Sequence, residues 1–192
     1  MQNLFRNFLL LLIISVYFLS CKNETFPKPK AVLRLDYSKP NYTTVNTKCG
    51  FQFDLNKAGQ LASNTKKESC TFEIEYPKLE ATIFLTYRPV NNDLRKLLTD
   101  AQNLTQEHVV KADDIRPTEY VNPITKVYGM SYKVIGNAAS PCQFYVTDSI
   151  KNFLLGSVYF KTKPNYDSIL PAATYLRNDI RILMESLKWN RD

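Results

Sequence analysis

Apolar residues recur at every second position through much of this chain, the spacing of strands that bury one face. Leu33, Leu35 and Tyr37 alternate with Arg34 and Asp36. Phe51, Phe53 and Leu55 keep the same period, and Phe72, Ile74 and Tyr76 do so with Glu73 and Glu75 turned to the opposite, solvated face. Segment 81–87 is rich in β-branched and aromatic residues and runs into a turn at 88–91. Past Pro117 and Pro123, segments 126–135, 142–147 and 152–160 predict three more strands. The break at 136–141 and the turn at 148–151 make these antiparallel neighbours.

In two segments the period lengthens to three and four residues. Leu94, Leu97, Leu98, Ala101, Leu104, His108 and Ala112 mark a helix that Asn92 can cap and whose dipole Asp93 complements. The single histidine lies on or beside that apolar stripe, with no neighbouring motif to supply a nucleophile or an orienting partner. Leu176, Ile180, Leu183, Met184 and Leu187 form the core-facing stripe of a second helix. Asp167 or Ser168 can cap it, Pro171 falls in its first turn, and Arg181 and Glu185 pair at i,i+4 on its outer side. Helices and hairpins in this order, without βαβ repeats, predict an α+β domain: an antiparallel sheet flanked by two long helices, an α/β/α sandwich.

The amino-terminal segment follows another rule. Arg6 precedes an apolar run from Phe8 to Leu19 broken only by Ser15, shorter than the roughly 17–25 residues that span a bilayer comfortably. A cationic start, a short apolar core and a small residue before the cut are the parts of a signal peptide. Phe18-Leu19-Ser20-Cys21 resembles a bacterial lipobox, in which the cysteine becomes the acylated first residue, although Phe18 stands where leucine is usual. The chain thus divides into a lipoprotein signal peptide at 1–20, a lipid-anchored tether at 21–30 and one domain at 31–192. Two prolines and three lysines in 22–30 favour an extended spacer. Those lysines suit either bulk solvent or anionic headgroups, at about 1 kcal/mol each near a charged surface.

Composition changes this picture little. The 192 residues, 44% hydrophobic and 22% charged, suit one globular domain. The net charge of +7 is spread among both signs with no long basic block, which argues against a nucleic-acid partner. A domain seated on a membrane by its basicity would need its lysines gathered on one face. With Cys21 carrying lipid, Cys49, Cys70 and Cys142 remain, an odd set in an oxidising compartment. Cys49 and Cys70 close the shortest loop, and their disulfide would stabilise by about 3 kcal/mol. Cys142 opens an apolar strand and reads as an inert buried thiol. No close-spaced ligand pairs suit zinc, and Asp113-Asp114 lacks the further oxygens of a calcium loop, so neither metal nor cofactor is expected. A glycine-rich nucleotide loop, G-x-S-x-G and H-E-x-x-H are all missing from the sequence, which lowers the expectation of an enzyme.

Several strings act together: Cys21, the 27–30 Pro-Lys-Pro-Lys tether leading into 33–37, Tyr76-Pro77-Lys78-Leu79 before Leu85-Thr86-Tyr87, the 136–140 break, 143–149, and 156–160 running to 164–168. In combination they resemble the GldD gliding-motility lipoproteins of Bacteroidetes over essentially the whole chain. The resemblance implies a cell-envelope lipoprotein required for gliding and for the type IX secretion machinery that shares its components, and it brings no established catalytic residues. The carboxy-terminal half is more distantly similar to PsbP-like α/β/α sandwiches, whose last helix ends near an aromatic such as Trp189. Asp148-Ser149-Ile150 and Asp167-Ser168-Ile169 look like the three-residue O-glycosylation signal of this bacterial group, at Ser149 and Ser168. Turn and helix-cap roles for the two aspartates are the competing account.

The expectation is a lipid-anchored, non-enzymatic protein-interaction module of the envelope, facing the periplasm. Its partners would be the membrane, through the anchor, and other motility or secretion components. The competing class is a small envelope enzyme or ligand-binding domain with a cleft near Tyr145, Asp148 and His108.

Overall fold

The computed structural model describes residues 37–63, 70–107, 111–163 and 165–190. The signal segment, Cys21, the tether, the alternation at 33–36 and His108 lie outside the described residues.

Alternating apolar residues become strands wherever a second strand can take up their backbone groups. The order is β1 (Tyr42–Asn46), β2 (Phe51–Asn56), β3 (Gln60–Ser63), β4 (Thr71–Tyr76), a 3-10 turn (Pro77–Leu79), β5 (Ala81–Pro89) and α1 (Leu94–Gln106). There follow β6 (Ala112–Asn122), β7 (Val127–Gly136), β8 (Cys142–Thr147), β9 (Asn152–Phe160), α2 (Tyr166–Ser186) and β10 (Lys188–Trp189). Seven strands form one sheet in the order β3-β4-β5-β9-β8-β7-β6, and β1-β2-β10 form a second of three. All pairings are antiparallel.

Register brings the apolar positions of successive strands onto one face. Ile74 lies opposite Ile83, which lies opposite Val158, and Val146 lies opposite Leu154. This face is covered in two ways. Phe51, Phe53 and Leu55 of the small sheet share one core with it, and so do Leu176, Ile180, Leu183, Met184 and Leu187 from α2 and its end. A disulfide between Cys49, just ahead of β2, and Cys70, just ahead of β4, joins the two sheets covalently, with Cα atoms 5.9 Å apart. It is the pair that loop length selects.

A buried polar cluster fastens the other end of the small sheet to α2. Asp179, 4% exposed, accepts from the Tyr42 hydroxyl at 2.7 Å and from Asn56 Nδ2 at 3.0 and 3.1 Å. Asn56 Nδ2 also donates to the Tyr175 hydroxyl at 2.8 Å. Burial first, and then Asp179, hold the Tyr42 and Tyr76 hydroxyls protonated well above the usual tyrosine range.

The antiparallel α+β class holds, but the arrangement of a sheet between two long helices is not what forms. Among the described residues only α2 is long, at 21 residues. The expected helix from Asn92 to Ala112 stops at Gln106, because Ala112 opens β6, an edge strand whose Pro117 needs no partner on its free side. Helix α1 buries only Ala101 and Thr105. Tyr37, expected in a strand, lies ahead of β1 and stacks on Tyr175 with ring centres 5.1 Å apart. The cap of α2 is Asn165, which accepts from the Ser168 N–H, not Asp167 or Ser168. Pro171 therefore lies inside the helix, beyond its first turn, and contributes no N–H to the ladder.

Gly156 shows how closely the sheet face is filled. A Cβ there would sit 2.2 Å from Phe144 Cε1, so the ring crosses β9 only because the glycine has no side chain. Gly156→Ala is expected to lower stability by about 1–3 kcal/mol, read as a fall in the urea midpoint without a change of slope.

Candidate functional site

Two hairpin turns leave the same end of the large sheet side by side, because β7 and β8 are neighbours while β6–β7 and β8–β9 are hairpins. Both turns are built on a short polar side chain that replaces a backbone acceptor. Asn122 Oδ1 accepts from the backbone N–H of Ile124 at 3.1 Å and of Thr125 at 3.2 Å. Asp148 Oδ1 accepts from the N–H groups of Ile150, Lys151 and Asn152 at 2.9, 2.8 and 2.8 Å. Lys126 and Ser149 take the left-handed positions, with φ of 54° and 68°.

The second turn is tied to the core through Asn152. Its Nδ2 donates to Asp148 Oδ2 at 2.6 Å, and its Oδ1 accepts from the Tyr87 hydroxyl at 2.7 Å. Burial alone would raise the Asp148 pKa, but the hydrogen bonds from Asn152, Ile150 and Lys151 outweigh it and hold the carboxyl below its usual range. The first turn is tied by Trp189, whose indole N–H donates to the Lys126 carbonyl at 3.1 Å.

Between the turns and the end of the chain lies a cleft of about 830 Å³ lined by Tyr87, Asp148, Asn152 and Trp189, with Lys126, Lys151 and Lys188 around it. These lysines are exposed and form no ion pair among the described residues. Ile124 and Ile150, at the turn tips, are 90% and 70% exposed.

Among the described residues named for the competing cleft reading, only Asp148 lines this cleft. Its oxygens are taken up by the turn. Tyr145 lies elsewhere, stacked on Phe153 with centres 5.6 Å apart and hydrogen-bonded to Tyr132. His108 is outside the described residues. Asp114 pairs with Arg116 at 2.7 Å, and no group of three metal-ligating side chains occurs among the described residues. Ser149 and Ser168 are both exposed, one in the Asp148 turn and the other in the first turn of α2. A second cavity, about 450 Å³, is bounded by Tyr37, Asn56, Tyr76 and Tyr175 beside the Asp179 cluster.

The lysine set escapes sequence reading because its members are far apart along the chain and meet only through strand order. Asp179 escapes for a different reason, since one acid among the polar residues of an amphipathic helix gives no sign that Asn56 will face it.

The profile of the family described as gliding motility lipoprotein GldD matches residues 22–189. No curated protein matches the chain.

Two predictions come from this geometry. Asp148→Asn sets an amide NH2 against that of Asn152, and a loss of about 1–2 kcal/mol is expected at neutral pH. The wild-type carboxylate stabilises the fold above its unfolded pKa of about 3.9, and that contribution is lost as pH falls through the lowered folded value. The gap between the two proteins in urea unfolding should therefore close under acid. Cys142, 3% exposed and pushed up to about 12 by burial, stays a thiol. Peptide mapping should find it alkylated only after denaturation.

Proposed function

Because this chain belongs to the family of gliding motility lipoprotein GldD, we propose that it is a lipid-anchored envelope accessory of gliding motility and type IX protein secretion that works through protein contacts without catalysis. The observation that carries this reading is the family match, which begins at the residue after Cys21 and runs through Trp189. The family name makes the protein a membrane-anchored envelope component. No helix among the described residues is long and apolar enough to cross a membrane, and the lipobox-like segment supplies the anchor through Cys21, with the domain facing the periplasm.

The outer face of the large sheet supports the interaction role. Phe84, on β5, is 39% exposed and meets Tyr159 of β9 edge-on, with ring centres 5.7 Å apart. Aromatic pairs of this kind are what partner surfaces use as anchors, because large rings lose little rotamer freedom on burial. Glu73 lies opposite Phe84 in the register and adds a polar rim.

Site-specific photocrosslinking from positions 84 and 159 in cells should capture another motility or secretion component. Phe84→Asp should abolish that crosslink and reduce gliding severalfold while the circular dichroism of the domain stays unchanged. Normal gliding with the crosslink lost would sink the assignment of this face. Cys21→Ala should move the protein from the membrane to the soluble fraction, and its retention in the membrane would count against the anchor.

A further inference from the structure

We propose that the turn-bearing end of the domain is a second membrane contact, in which Ile124 and Ile150 enter the headgroup region of an anionic bilayer and Lys126, Lys151 and Lys188 meet its phosphates. The inference rests on the lipoprotein reading above, which keeps a bilayer within reach of the domain.

Among the described residues the two isoleucines are the most exposed of the large aliphatic side chains, at 90% and 70%, and they sit at the tips of neighbouring turns. One intervening strand spacing on each side puts those tips about 10 Å apart. Each tip is fixed by the same device: an Asn or Asp side chain accepts the N–H of the isoleucine two residues on.

The charges around the tips have the matching sign. Lys126, Lys151 and Lys188 ring the cleft, and Lys48 is exposed in the β1–β2 turn, two residues ahead of Gly50, which also lines it. Two acids lie there among the described residues, fewer than the lysines, and both are hydrogen-bonded: Asp148 in its turn, and Asp93 through the Asn91 N–H at 2.8 Å. Trp189 lines the same cleft, half-buried, with its N–H committed to Lys126 and its ring packed edge-on against Phe51. Protruding aliphatic tips with lysines behind them are the arrangement of a surface that sinks shallowly into headgroups. A protein partner's anchor would more often enter a recess.

The anchor permits this seating. Tyr37 stacks on Tyr175 and borders the same cavity as the Pro77–Leu79 turn, where β5 begins, whereas the isoleucine tips lie at the end where β5 finishes. That strand is nine residues, about 30 Å long. Sixteen residues separate Cys21 from Tyr37, a contour of at most about 55 Å, so an anchored chain can run past the domain and leave its far end on the bilayer.

The thiol pattern provides the test. Cys49 and Cys70 are bonded and Cys142 is buried, so Ile150→Cys or Ile124→Cys in the full lipoprotein can be labelled with an environment-sensitive fluorophore, with Thr174→Cys on the exposed side of α2 as control. The labelled protein is reconstituted into vesicles of phosphatidylglycerol and phosphatidylethanolamine, or of phosphatidylcholine alone, carrying a lipid-borne quencher. Blue-shifted, quenched emission at 150 and 124 but not at 174, in the anionic vesicles only and reversed by molar salt, is the expected result. Each of Lys126→Gln, Lys151→Gln and Lys188→Gln should shift the docked-to-free ratio by about fivefold. Emission that stays water-like at 150 and 124, or responds equally in phosphatidylcholine, overturns the proposal. So does protection that appears only when a second envelope protein is added, which would give this end to a protein partner. Intact mass of the same sample reports the acyl group separately, and a protein lacking it tests docking by sedimentation with the same vesicles, so failure of the anchor and failure of the contact are told apart.

Discussion

Phe51 is the residue on which the two sheets and the turn-bearing end together depend. Fully buried at the start of β2, its ring meets Phe53, Phe72, Tyr87 and Trp189 with centres 5.7–6.3 Å apart. Two of those contacts stay in the core, and two lead outward. Tyr87 holds Asn152, which holds Asp148 and so the second turn. Trp189 holds the carbonyl of Lys126 and so the first. The positions of Ile124 and Ile150 are therefore set by packing inside the domain. A loose core would blur the surface before it unfolded the protein, because side-chain geometry is lost earlier than collapse.

The small sheet is held at both ends by unlike means. Near Phe51 the hold is covalent and apolar, through Cys49–Cys70 and the aromatic cluster. At the other end of β2, Asn56 reaches the buried Asp179. Burying a carboxylate is costly unless its oxygens are satisfied, and here tyrosine hydroxyls and an amide do so. The arrangement favours one docking of α2 over its slipped alternatives, since a shift of one residue along the helix would strand both Asp179 and Asn56. A core of leucine and isoleucine alone would distinguish those alternatives less sharply.

Strands with a buried face could be read from the sequence because alternation is a direct image of that burial. Phe72, Ile74 and Tyr76 became β4, segment 152–160 became β9, and the apolar stripe of Leu176, Ile180 and Leu183 became α2. Strands that escaped are those whose partners matter more than their own side chains. In β6 every residue is half-exposed or exposed, and among the described residues β7 alone supplies its pairing. In β3, four residues suffice because β4 lies beside them. The overrun of α1 has the same origin: His108 and Ala112 continue a helical spacing, but Ala112 gains a strand partner in Gly136. Of the candidate site, Asp148 was visible as a turn former. The grouping of Lys126, Lys151 and Lys188 was not, since it exists only through the order of strands and the return of the chain after α2.

The turn at 148–151 bears two proposed uses, glycosylation at Ser149 and membrane seating at Ile150, that are physically incompatible. Ser149 is exposed and precedes Ile150, so a sugar on its hydroxyl would extend from the tip that the isoleucine occupies. A hydrated glycan there would keep the aliphatic side chain out of the headgroup region, because displacing its water costs more than burying one isoleucine returns. Ser168 stands in no such conflict, lying in the first turn of α2, away from the cleft. Modification at Ser149 and membrane seating at Ile150 therefore exclude each other in the same molecule, whereas modification at Ser168 leaves the docking end untouched. If both serines carried sugar, the exposed isoleucines would have to be explained by a partner that tolerates a glycan, and the aromatic face around Phe84 would be left as the better contact surface.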